Sequence, residues 1–390
     1  MHLIRSILKV KHLPAMLLVL SLVVIGLTLI LTNPVSAEGE TPGTPVLTTE
    51  DEGCLACHGK PGFTRELPNG DIWVLTIDRD HFLDSVHADE GVTCTSCHSD
   101  IHFYPHAEFP ARSLREVSML LYPLCQNCHI EQYNQTLDSI HQSQIAGGNY
   151  NAAICVDCHN PHVQGRITDP VTGTILPEAR AAIPQTCAKC HNAIYEAYAT
   201  SVHGEALIDG NNQDVPTCIN CHGVHNIIDP RTNEFRTDSP LLCAGCHTDA
   251  SIMDKYGIST NVLSTYVADF HGTTVTLFEK TDPDQATNKP VCYDCHGIHD
   301  IKRPDDPQSG IQIKENLLVK CQQCHPDATA NFPDAWMSHY IPSPTEYPLV
   351  YYINVFYKYF IPIVLGGMAL FILLDFIHRV VVRIKGAIHK

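Results

Sequence analysis

Nine times in this 390-residue chain a Cys-x-x-Cys pair is followed at once by histidine, and these motifs use all 18 cysteines. The motif cysteines are Cys54 and Cys57, Cys94 and Cys97, Cys125 and Cys128, Cys155 and Cys158, Cys187 and Cys190, Cys218 and Cys221, Cys243 and Cys246, Cys292 and Cys295, and Cys321 and Cys324. Their histidines are His58, His98, His129, His159, His191, His222, His247, His296 and His325. Cys-x-x-Cys-His is the attachment signature of c-type haem: two thiols at this spacing reach the two vinyl groups of one porphyrin, and the adjacent imidazole sits under the iron. Nine covalently attached haem c groups are therefore expected. A motif roughly every 30 residues leaves little room for long helices or wide sheets. The expected fold is mainly α with extensive coil, short helices and loops wrapped over porphyrins that supply the apolar core, plus one C-terminal transmembrane helix.

Structural zinc and a disulfide framework are the competing readings. Zinc modules normally set the histidine apart from the second cysteine, so nine adjacent histidines would go unexplained. Disulfides account for the even cysteine count but for none of the histidines.

Whether a haem iron carries electrons or performs chemistry depends on its sixth ligand. Eleven further histidines lie in the body of the chain, and nine recur at fixed places in a repeat. Five stand alone between motifs: His87, His141, His203 and His339 in the form Ser-x-His, and His271 after Asp269-Phe270. Four trail a motif: His102, His162, His225 and His299. These nine are the candidate distal ligands. His81 and His106 fall outside the repeat and read as surface or propionate-contacting residues. Met119, Met253 and Met337 could offer a sulfur ligand, but methionine more often fills apolar gaps.

The repeat alternates plain motifs, at Cys54, Cys125, Cys187, Cys243 and Cys321, with elaborated ones, at Cys94, Cys155, Cys218 and Cys292, which follow a lone histidine and precede a trailing one. The segments from His129 to His141 and from His191 to His203 lack Gly and Pro and suit a helix, and twelve helical residues span about 18 Å, too far for both histidines to clasp one iron. The expected scheme has each lone histidine ligating the following elaborated haem and each trailing one reaching a neighbouring plain haem. By count, His339 is left for the Cys321 haem.

The ends differ from the body. Residues 1–37, basic at Arg5, Lys9 and Lys11 and then apolar, resemble a secretory signal or retained anchor. Residues 38–52 read as a flexible leader and 53–340 as the nonahaem domain. Residues 341–356 form a linker, 357–378 the transmembrane helix and 379–390 a basic cytoplasmic tail. Asp375, His378 and Arg379 share one helical face, which snorkelling or a membrane partner would explain. The haem domain is expected on the extracytoplasmic, periplasmic side of the cell membrane. Apolar alternations at Ile72 to Ile77 and Thr274 to Phe278 suggest small hairpins. Asp169 to Pro184 and Asp229 to Pro240 read as loops. The net charge is −17; without the basic ends, 18 Lys and Arg face 41 Asp and Glu. Nucleic acid and anionic lipid are poor partners for such a surface, and basic redox proteins are better ones.

The Ser-Val-His-Gly and Cys-Ile-Asn-Cys-His-Gly-Val-His segments and their repetition make residues Gly53 to His339 resemble the multihaem cytochrome c family with doubled motifs, the cytochrome c3-like proteins. The resemblance implies low-potential, bis-His haems that relay electrons. Its members include proteins that end in one helix beside a b-type cytochrome or quinol-oxidising subunit. The first functional expectation is an electron conduit with no catalytic residue. The second is a multihaem reductase of a small nitrogen or sulfur oxyanion with one open iron; such enzymes of the nitrite type carry Cys-x-x-Cys-Lys, and no such motif occurs here.

Overall fold

A computed structural model describes residues 47–101, 104–281, 286–335, 339, 341–345 and 347–388. The signal or anchor at 1–37, most of the leader, His102 and Met337 lie outside the described residues. The chain is mainly helical, with many short helices and loops and one long apolar C-terminal helix.

Helix α1 (Thr49–His58) runs straight into the first motif. Thr48 Oγ1 accepts from the Asp51 N–H at 3.1 Å and Asp51 Oδ2 accepts from the Thr48 N–H at 2.9 Å. This reciprocal cap corrects the leader reading: its last residues, from Thr49, are helical because their free N–H groups are satisfied locally. Strands β1 (Thr64–Glu66) and β2 (Ile72–Val74) pair antiparallel with Arg65 opposite Trp73, the hairpin expected at the first alternation. Trp73 packs on a small cluster of Leu67, Ala111 and Val117.

The body then repeats a helix with a serine at its head: α2 (Val86–Asp89), α3 (Ile140–Ala146) and, after α4 (Asn192–Ala199), α5 (Val202–Ile208). Ser85, Ser139 and Ser201 are buried and accept from Ala88, His141 and Gly204 N–H groups. A buried hydroxyl that caps a helix start fixes the imidazole one or two residues on. The expected single helix from His191 to His203 is consequently two, because Ser201 starts a new one where α4 ends.

The two segments read as loops are loops only in their first parts, 169–176 and 229–232, and helices take up the rest. Pro177–Ala188 and α6 (Asn233–His247) are helical through Pro184 and Pro240, each buried three residues before a motif. Proline removes one ladder hydrogen bond, and at Pro240 the freed Arg236 carbonyl accepts from the Ser239 hydroxyl at 2.7 Å. The second apolar alternation is helical too: Thr274 to Phe278 lies in α8 (Phe270–Thr281), packed on α7 (Val262–Ala268), with Val275 buried. Packing on α7 overrides the strand preference of its β-branched residues.

Among the described residues, clusters of buried side chains are small, the second being Ile145, Ala152 and Ile154. Met119 packs against that cluster and Met253 is itself buried, as gap-fillers. The last helix, α9 (Pro348–Ile388), is 41 residues long, about twice what crosses a bilayer. It is continuous from within the expected linker into the expected tail. Its described side chains are largely exposed, and Arg379 Nε bonds Asp375 Oδ2 at 2.8 Å along one face.

Candidate functional site

In each elaborated motif the two cysteines occupy one helical turn: Cys94–Cys97, Cys155–Cys158, Cys218–His222 and Cys292–His296. The third motif residue ties that turn down. Asp157, Asn220 and Asp294 accept from the N–H before the first cysteine at 2.8, 2.8 and 2.6 Å, and Ser96 does so at 3.1 Å. No disulfide joins any of the 18 cysteines.

At three plain motifs, those of Cys125, Cys187 and Cys243, an arginine on the helix leading into or carrying the motif reaches the next elaborated motif. Arg115 bonds Asp157 at 2.8 Å and also the Ala152 carbonyl; Arg236 bonds Asp294 at 2.8 Å and the Lys289 carbonyl at 2.9 Å; Arg180 bonds the Val215 carbonyl at 2.5 Å. Ala152, Val215 and Lys289 each lie three residues before an elaborated motif. Sequence reasoning missed this device, although arginine seven residues before both Cys187 and Cys243 was its visible signal.

Motif histidines face non-motif histidines. Eight ring pairs have centroids 6.1–6.4 Å apart: His87 with His129, His162 with His98, His141 with His191, His225 with His159, His203 with His247, His299 with His222, His271 with His325 and His339 with His296. Phenylalanine contacts of the same motif rings scatter more closely, at 5.1–5.7 Å. His58 faces no other imidazole among the described residues, and His102 lies outside them. His81 and His106 are exposed and pair with no other histidine.

These pairs overturn the expected scheme. His87, His141, His203 and His271 each pass over the elaborated motif that follows and face the plain motif beyond it, so His203 meets His247 of the Cys243 motif and not His222. The described trailing histidines, His162, His225 and His299, turn back to the preceding elaborated motif. His339 faces His296 of the Cys292 motif, not His325. The cause is a backbone contact between repeats: Val86, Ile140 and Val202 N–H groups donate to the Gln164, Ile227 and Ile301 carbonyls at 2.8, 2.8 and 2.9 Å. Each acceptor lies two residues past a trailing histidine, in the unit ahead, and draws the lone histidine with it.

Burial lowers the pKa of both His203 and His296 to about 4. Such rings are neutral at physiological pH and keep a lone pair free, the metal-binding form of imidazole. Carbonyls orient others through the remaining nitrogen: His58 Nδ1 lies 2.9 Å from the Leu75 oxygen and His87 Nδ1 2.8 Å from the Pro161 oxygen.

Thiols order the motifs in single file. The first cysteines of a plain motif and the elaborated one after it are electrostatic neighbours on packed helical segments, as in Cys54 with Cys94, Cys125 with Cys155, Cys187 with Cys218 and Cys243 with Cys292. The second cysteine of each elaborated motif lies close to the next plain one, as Cys97 does to Cys125, Cys158 to Cys187, Cys221 to Cys243 and Cys295 to Cys321. The nine motifs are thus neighbours in chain order.

No protein-family model, curated protein or solved structure matches this chain. Its chemistry is therefore read from its own donors. Among the described residues no three His, Cys, Asp or Glu converge as a metal shell, whereas a structural zinc would need four donors around it. An iron shared by two imidazoles needs about 2 Å per metal–nitrogen bond and about 1.2 Å from each nitrogen to its ring centre, about 6.4 Å in all. The observed separations fit that span, with two thiols beside each pair. Paired imidazoles with no third donor beside them would suit a group that brings four donors of its own, as a porphyrin does.

Proposed function

We propose that this chain is an exported, membrane-tethered nonahaem c-type cytochrome, a relative of the cytochrome c3-like proteins, that relays electrons between a quinol-linked membrane partner and extracytoplasmic acceptors. The observation that carries this reading is the set of eight opposed imidazole pairs, each beside a Cys-x-x-Cys turn. When bound, haem c supplies a one-electron iron centre whose potential its axial ligands tune.

The chain's own residues would do the rest. Each cysteine pair would hold one group covalently, and the opposed histidines would close both of its faces. Closed faces favour a relay over turnover of a substrate, which is why the oxyanion reductase is the second reading. The single-file order of the thiols would keep successive groups adjacent from Cys54 to Cys321. Small side-chain clusters agree with a core made chiefly of porphyrin, since a chain this long ordinarily buries a larger apolar core of its own.

Helix α9 would hold the body at the outer face. Tyr351, Tyr352, Tyr357 and Tyr359 fall at one end of its apolar run, and Arg379 and Arg383 at the other, as interface anchors do. The acidic body suits basic redox proteins at its surface, while a b-type cytochrome or quinol-oxidising subunit would sit beside the helix.

The experiment is an intact mass of the protein expressed with haem-attachment machinery, joined to magnetic circular dichroism of the oxidised form. Nine porphyrin increments and bis-imidazole signals are the expected result. A colourless protein, or bound zinc at the motifs, would sink the reading.

A further inference from the structure

One of the eight imidazole pairs, His296 with His339, is held differently from the rest. The other seven non-motif rings belong to partly buried residues, whereas His339 is exposed. Those on capped helices follow a buried serine or, at His271, an aspartate 3.3 Å from its ring nitrogen. His339 belongs to no helix, and its φ of 63° places a non-glycine residue in the left-handed region. Its ring is met by the Thr265 hydroxyl, 3.3 Å from Nδ1, and by the Val262 backbone, both on α7.

The interlocking of repeats also stops here. His339 takes the place that a trailing histidine occupies in the interior units, so Ile341 corresponds to Gln164, Ile227 and Ile301. Those three carbonyls each receive a backbone N–H from a lone-histidine helix. The corresponding donor is Phe270, and no bond joins it to Ile341; Phe270 and Ile341 are 70% and 55% exposed. The clamp that fixes the interior segments is absent where the series ends. Pro348, the first residue of α9, follows shortly, so motion of that helix would act on the segment bearing His339.

We propose that His339 is a displaceable ligand, and that the face it covers, opposite His296, is this protein's binding site for a small neutral iron ligand of the carbon monoxide class. This rests on the reading of the Cys292 motif as a haem site. The exchange is a ligand substitution without electron transfer: the His339 nitrogen leaves, remains on the chain and is replaced by the incoming molecule, while His296 stays in place. Apparent affinity then scales with the fraction of time His339 is away.

The test uses full-length, haem-loaded protein in detergent, reduced and titrated with carbon monoxide. The wild type should bind one equivalent for its nine haems. His339→Ala should bind the same single equivalent roughly tenfold or more tightly, show one high-spin centre before the gas is added, and be returned to low spin by free imidazole. A wild type that carries nine haems yet binds no carbon monoxide overturns the proposal, as does a single bound equivalent whose affinity His339→Ala leaves unchanged. If His339→Ala does not load haem, His339→Met serves in its place, with a changed affinity expected and an unchanged one contrary. Failure of the haem reading itself looks different, because the mass then lacks porphyrin in every variant.

Discussion

The Val202 N–H donates to the Ile301 carbonyl at 2.9 Å, joining the helix that bears His203 to the loop that bears His299. Through this one bond, two imidazoles serving two different motifs are positioned together, His203 against His247 and His299 against His222. Replacing His203 with alanine should therefore turn one centre high-spin, and that centre should be the one attached at Cys243. Dichroism of His203→Ala, compared with the same change in a Cys243→Ala, Cys246→Ala background, assigns it. A high-spin signal that survives in that background contradicts the pairing.

Gly204 follows His203 where a Cβ would lie 1.9 Å from the Tyr198 carbonyl oxygen. Gly204→Ala must displace α5 and should destabilise the protein by about 1–3 kcal/mol, with loss of ligation by His203. Gly245, inside the Cys243 motif, has open space around it. Gly245→Ala should leave the haem count unchanged and raise stability by up to about 1 kcal/mol. Thermal melts of the two variants should move in opposite directions.

Arg236 and Asp294 form an ion pair with side-chain exposures of 23% and 28%, and the same guanidinium holds the Lys289 carbonyl. Arg236→Met leaves a carboxylate and a carbonyl without their donor, which should cost about 1–3 kcal/mol. Urea titration would measure it. Arg303→Met, whose pair with Asp305 is largely exposed, should leave the urea midpoint essentially unchanged.

Asp51 is buried beneath the second motif. Burial raises its pKa, but hydrogen bonds from Thr48 and the Cys94 backbone outweigh that and hold the carboxyl below its ordinary 3.8. A depressed folded pKa gives stability that is present above 3.8 and lost as pH falls through the folded value. Asp51→Asn should therefore be less stable than wild type at neutral pH, by about 1.5–3 kcal/mol. The gap should narrow below pH 3.8, as urea midpoints measured across pH would show. A gap that stays constant through that range would contradict the assignment.

Removing residues 346–390 should release the protein from membranes without lowering its haem count. Helix α9 is long and apolar, with its described side chains largely exposed, whereas every motif and His339 lie before it. Flotation with liposomes, comparing full-length and shortened protein, checks this; a shortened form that still floats would place the membrane contact elsewhere.

The motifs, the Ser-x-His pattern and the apolar helix were legible in the sequence because each is a short-range pattern with its own physical cause, whereas the capping role of Ser85, Ser139 and Ser201 emerged only in the structure. The partners of the imidazoles were not. They depend on backbone bonds such as Ile140 to Ile227, which any residue type can make and which therefore leave no mark in side-chain identity. Pro184 and Pro240 misled for a related reason: proline usually interrupts a helix, but here burial and, at Pro240, a neighbouring hydroxyl compensate for the missing N–H. Thr274 to Phe278 looked like strand by composition until packing on α7 decided otherwise. His339 was found by its Ser-x-His pattern and assigned to the wrong partner by arithmetic, since counting cannot see that it fills a trailing histidine's place.

Because every described pair joins histidines from different parts of the chain, the order of synthesis matters. His87 leaves the ribosome before His129, and His98 waits for His162. On the haem reading, the motifs at Cys94, Cys155, Cys218 and Cys292 would be loaded before their second imidazole arrives, whereas those at Cys125, Cys187, Cys243 and Cys321 would find theirs already made. If the motifs carry haem, halting synthesis partway would leave the newest of those four centres with one imidazole, so on that reading this architecture ties the safety of its intermediates to uninterrupted passage of the polypeptide.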